Sequence, residues 1–125
     1  MTQPEPAILD EDVLDELRSS VEGDRSFVVE LIEAYVADGA THVAEVETAV
    51  ADGDAGSLVR PAHTLKSSSA TVGAQRLAAL ARDLEVAGRS GNLDASIAQR
   101  MPQLREAWEE ATAALRRWVE RGDRR

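Results

Sequence analysis

The sequence contains no cysteine, which excludes a disulfide framework and any thiolate chemistry. Aromatic residues are scarce, at 3 % of the chain: Phe27, Tyr35, Trp108 and Trp118. The core must therefore be built from Leu, Val, Ile and Ala, a composition that favours helices. Prolines stand only at positions 4, 6, 61 and 102, three of them outside helix middles. No apolar run approaches the ~20 residues of a membrane span. The opening Met1-Thr2-Gln3-Pro4-Glu5-Pro6 lacks the basic-then-apolar pattern of a signal peptide. Bases are outnumbered, 14 against 23 acids, for a net charge of −9. That balance speaks against a nucleic-acid partner, which needs a basic face, and against an anionic membrane. A cytoplasmic protein is the default expectation.

The 125 residues suit one domain, and 43 % apolar content marks it as globular. Residues 1–7 read as a disordered lead. Ile8, Leu9, Val13, Leu14 and Leu17 form a short amphipathic helix with acids Asp10, Glu11 and Asp12 at its start. Ser19 to Gly23 is a break, and Asp24 is an N-cap. The helix it opens runs to Ala51, with the stripe Val28, Ile32, Tyr35, Gly39, Val43, Val46 and Val50. Gly39 in its middle costs roughly 1 kcal/mol against alanine and so points to close packing. After Asp52-Gly53-Asp54 a third helix runs to Val72, and Gly73 ends it. A fourth carries Leu77, Leu80, Leu84 and Ala87, with a turn at Gly88–Asn92. The last begins near Leu93 and shows Ile97, Met101, Leu104, Trp108, Ala111, Leu115 and Trp118; residues 121–125 read as a frayed tail. No segment alternates like a half-buried strand. The expected architecture is all-α: an antiparallel up-down four-helix bundle over residues 8–120, with a short additional N-terminal helix. Pro61 is the one local conflict, because it cannot donate to the carbonyl of Ser57. Either the third helix kinks there or it is regular only from Pro61 onward.

The third helix has two unlike faces. At roughly 100° per residue, Leu58, Ala62, Leu65, Ser69 and Val72 stack within about 80° of arc. His63 points roughly 140° away from the centre of that stripe, beside Lys66, Ser67 and Ala70. Burying the leucines therefore holds His63 in water. Lys66 is the only lysine in the chain, and at i+3 it neighbours the imidazole. Ser67 and Ala70 leave low relief beside the ring, and Val59 and Ala70 add some exposed apolar surface. Val59, Arg60, Ser67 and Ala70 are the candidate docking residues. A largely neutral imidazole is a nucleophile that needs no activating base. It can take a phosphoryl group and hand it on, and Lys66 can contact the anionic oxygens.

At His63-Thr64-Leu65-Lys66-Ser67-Ser68-Ser69-Ala70-Thr71-Val72-Gly73-Ala74 the sequence resembles the signature of histidine-containing phosphotransfer (HPt) domains of two-component phosphorelays. The segment Phe27 to Tyr35 with Asp38 resembles the family's second helix, and Leu77 to Glu85 the helix after the signature. The resemblance spans about residues 8 to 115. It implies a five-helix fold containing a four-helix bundle. It also implies that His63 accepts a phosphoryl group from a receiver-domain aspartate and passes it to another, with Lys66 assisting. Its partners would be response-regulator receiver domains or a hybrid sensor kinase. Mg²⁺ is expected only in the receiver, and no cofactor here. Where the family usually has glycine this chain has Ser67, which adds one hydroxyl and a small bulk to the docking surface.

Other features carry less. His42 sits at the edge of its helix's stripe and reads as a partly exposed structural histidine. No Gly-x-Ser-x-Gly elbow and no paired Glu-x-x-His motifs occur, so neither a hydrolase nor a di-iron site is expected. Gly88-Arg89-Ser90-Gly91 is the nearest approach to a phosphate loop and reads as a helix connection, so the protein is expected to be a carrier and not a kinase. Two alternatives stand beside the phosphoryl shuttle: an interaction module whose histidine is incidental, and a metal-binding bundle. Beyond the Val59–Ala70 patch, which the shuttle reading assigns to receiver docking, no apolar face remains spare for a dimer, so a monomer is expected.

Overall fold

Asp10, Asp24, Asp54 and Asp94 each set the start of a helix. Their carboxylates accept the backbone N–H of Asp12, Ser26, Ser57 and Ser96, at 3.1, 3.1, 3.1 and 2.9 Å. These bonds satisfy donors that a helix start otherwise leaves orphaned. The computed structural model describes residues 6–21 and 23–122, all-helical and with no strand among them. The elements are α1 (Glu11–Ser20), α2 (Arg25–Ala51), α3 (Ala55–Val72), α4 (Gln75–Ser90), α5 (Ala95–Gln99) and α6 (Met101–Gly122). Helices α2, α3, α4 and α6 form the bundle, and α1 closes one end through Leu14.

The core lies where the periodicity put it. Val28, Ile32, Tyr35, Val43 and Val46 of α2 are buried with Leu58, Ala62, Leu65 and Val72 of α3. Leu77 and Leu84 of α4 join them, as do Leu104, Trp108, Ala111, Leu115 and Trp118 of α6. On α2 the stripe ends at Ala49, with Val50 half-buried. Gly39 is where α6 touches α2: a Cβ there would lie 2.6 Å from Cζ3 of Trp108. Ser69 is fully buried in this core, and its hydroxyl shares a 2.8 Å hydrogen bond with Tyr35 Oη. Burial pushes the Tyr35 phenol up to about 12, so it stays neutral and keeps that bond.

Several boundaries differ from the sequence reading, each for a physical reason. Helix α1 starts at Glu11, because Asp10 is its cap; Ile8 and Leu9 precede it. Residues 1–5 of the expected lead lie outside the described residues. Ala7, by contrast, is tied down, its carbonyl accepting the Arg76 N–H at 2.9 Å. Pro61 neither starts α3 nor ends it; its ring is buried well inside the helix. Gly88 is not in a turn. It belongs to α4, which runs to Ser90 and is capped by Gly91 in the left-handed region at φ +74°. The final helix does not run unbroken from Leu93. Asp94 caps the short α5, Arg100 follows it, and α6 begins at Met101. Helix α6 continues to Gly122, past the boundary at 120, and Arg121 pairs with Glu11. Residues 123–125 of the expected tail lie outside the described residues.

Candidate functional site

The site stands on the hairpin of α3 and α4. Gly73, at φ +85°, ends α3 and leaves only Ala74 before α4 begins. So short a link forces α4 back alongside α3. Gly88 then sets how close the helices come. A Cβ on it would lie 3.0 Å from Cγ2 of Val59 and 3.1 Å from the carbonyl of Ala55. With α4 this near, Glu85, one turn before Gly88, reaches the row of α3 that carries His63 and Lys66.

Glu85 is the hub. Its side chain is only 7 % exposed, while His63 beside it is 53 % exposed. Nδ1 of His63 lies 2.9 Å from Oε2. Arg89, one turn along α4, donates to the same oxygen from Nε at 3.0 Å and from Nη2 at 2.8 Å. Nζ of Lys66 lies 2.8 Å from the other oxygen, Oε1. Lys66 foremost, and then Arg89, hold the Glu85 carboxyl down to about 2 against the opposing effect of burial, with His63 adding to the lowering. Glu85 is therefore an anion at neutral pH, and a carboxylate can only accept. Nδ1 of His63 must then carry the proton. The second ring nitrogen, Nε2, has no partner among the described residues, and in the neutral ring it is the one that holds the lone pair.

The expected site residues are placed as follows. His63 is exposed and Lys66 lies one turn further along α3, the two joined through Glu85. Arg60, Ser67 and Ala70 are exposed on the same face. Val59 is half-buried and turned toward Gly88, so it contributes more to the hairpin than to an open surface. Glu85 and Arg89 were missed by sequence reasoning. A signal existed: position 85 falls in register with Leu77, Ala81 and Gly88 on the buried side of α4, and an acid on an apolar stripe needs a partner. His42 lies apart, half-buried on α2, with Nδ1 3.1 Å from Glu45. Among the described residues no three His, Cys, Asp or Glu side chains converge as metal ligands do.

A helical hairpin that presents one exposed, tautomer-fixed imidazole defines a class. The family model of the Hpt domain matches residues 30–118. The chain belongs to that family and is a histidine phosphotransfer protein of a phosphorelay. Among solved structures it is similar to histidine-containing phosphotransfer protein B (HptB) from Pseudomonas aeruginosa PAO1. The TM-score is 0.80 at 26 % identity, over 90 % of this chain and 95 % of that one. No curated protein sequence matches the chain.

Proposed function

We propose that His63 is the phosphoryl carrier and that transfer occurs at Nε2. The observation that carries this is the Nδ1 bond to an ionised, buried Glu85, which leaves Nε2 as the free nucleophile on an exposed ring. The Nε2 lone pair attacks the phosphorus of a receiver aspartyl phosphate. The bond to the aspartate oxygen breaks, and the carboxylate leaves with its electron pair. The ring gains positive charge as the N–P bond forms, and Glu85 faces that charge across the Nδ1–H bond. Transfer to a second receiver is the reverse sequence. An ammonium has three donors, so Lys66 can hold Glu85 and still reach a phosphoryl oxygen.

In this reading the protein is a carrier without its own ATP site, and Mg²⁺ belongs to the receiver. It acts as a monomer in the cytoplasm, with receiver domains or a hybrid sensor kinase docking on the face around Arg60, Ser67 and Ala70. The rival reading, a docking module with an incidental histidine, gives no reason for the Glu85 network beneath the ring.

The test is incubation with a labelled, phosphorylated receiver domain and Mg²⁺, beside His63→Gln. Label is expected on the wild type alone, acid-labile and base-stable, and chaseable onto a second receiver. Label on the variant, or none on the wild type with any cognate receiver, would sink the proposal.

A further inference from the structure

We infer that Arg60 is a phosphoryl-contacting residue: its guanidinium meets the phosphoryl group on Nε2 of His63 from the side opposite Lys66. This rests on the reading of His63 as carrier and adds to it a residue that the α3–α4 network does not contain.

Three cations lie near the imidazole. Two of them already hold Glu85. Lys66 is 2.8 Å from Oε1 of Glu85, and Arg89 spends its Nε and Nη2 on Oε2. Arg60 is exposed and makes no hydrogen bond or ion pair among the described residues. Nothing on its own helix neutralises it, because the sequence has no acid from residue 55 to residue 82. Of the acids on the helices packed against α3, Glu85 of α4 is engaged by three partners and Glu45 of α2 by His42, while Asp38 of α2 lines a groove with Thr64 and Ser68.

The geometry of α3 puts Arg60 on the correct side. At 3.6 residues per turn it precedes His63 by one turn and lies about 60° further round, away from α4. Glu85, Lys66 and Arg89 occupy the α4 side of the ring, so Arg60 faces it from the other. Side chains on a helix lean toward the N-terminus, and the patch a residue covers lies over the preceding turn. His63 therefore leans over the turn of Val59 and Arg60. The half-buried Val59 occupies the α4 side of that turn against Gly88, and Arg60 the open side. By the same rule Arg60 leans toward Ser57, so its guanidinium reaches the ring by folding back over its own turn, for which the arginine side chain has the length. A guanidinium offers a fork of donors matched to phosphoryl oxygens.

The experiment needs a donor with no docking surface. Phosphoramidate serves: its P–N bond breaks, ammonia leaves, and the phosphorus bonds to Nε2. Wild type, Arg60→Gln, Arg60→Lys, Arg116→Gln on the far helix and His63→Gln are compared by the rate at which phosphohistidine forms. Arg60→Gln should be slower by about three- to tenfold, the scale of one lost charge-assisted contact on a partly hydrated group. Arg60→Lys should recover part of the rate, and Arg116→Gln should match the wild type. Equal rates for Arg60→Gln and wild type overturn the inference. So does a defect that appears only with a phosphorylated receiver as donor, since that assigns Arg60 to docking. No phosphohistidine on the wild type, or undiminished label on His63→Gln, would instead defeat the assignment of His63 itself.

Discussion

At the scale of single residues, the site turns on one buried carboxylate. Glu85 fixes which nitrogen of His63 carries a proton, and Lys66 and Arg89 keep Glu85 charged. Glu85→Gln would replace an obligate acceptor by an amide that can donate as well as accept. The tautomer of His63 would then be free to change. We expect slower transfer from the variant with the fold intact, and a loss of the Nδ1–H signal in nitrogen NMR of the imidazole. An unchanged tautomer would refute the positioning role. The same carboxylate sets a pH dependence. Its pKa is lowered on folding, from 4.5 to about 2, so it contributes stability above the higher value that is lost as pH falls toward the lower one. Denaturation of the wild type should therefore ease between pH 4.5 and about 2, and Glu85→Gln should show less of that slope. His63 and Lys66 were legible in the sequence because helical periodicity places them with no knowledge of any other element. Glu85 was not, because its partners come from another helix, and periodicity says nothing about which helices meet.

At the scale of the elements, glycines decide how near the helices lie. Gly39 has the Trp108 ring where its Cβ would be. Gly39→Ala should destabilise the protein by about 1–3 kcal/mol through overpacking, outweighing the gain of roughly 1 kcal/mol in helix propensity. Thermal unfolding followed by circular dichroism measures this; a raised melting temperature would contradict the close contact. The need for glycine at position 39 could be read from its place on an apolar stripe. That of Gly88 was harder to read. It stands near Ser90, Gly91 and Asn92, a run that looks like a loop, and only the approach of α3 shows that it is interior to α4. The break at Arg100 was hidden in a similar way. The apolar spacing from Leu93 to Trp118 continues across it, because α5 and α6 bury the same side.

At the scale of the molecule, charge is unevenly spread. Five acids, Glu30, Glu33, Asp38, Glu45 and Glu47, lie along α2, whereas α3 has none and carries Arg60 and Lys66. The face that carries His63 is thus a basic strip on an acidic body. Such a body repels its own copies at low salt, in keeping with the proposed monomer. A mass near 13.5 kDa is expected by light scattering across concentrations, and a mass that doubles as protein is added would contradict it. The bundle itself was legible from the outset, since four long stripes of aliphatic residues joined by short links leave few other arrangements.

The hairpin of α3 and α4 has a temporal consequence. Every group named for phosphoryl transfer falls between Arg60 and Arg89, on two helices joined by a two-residue link. Contacts so close along the chain are entropically cheap to close and form early in folding. In refolding experiments the His63–Glu85 pairing should accordingly appear before α2 and α6 lock together through Gly39 and Trp108, giving the reactive centre a head start over the body that carries it.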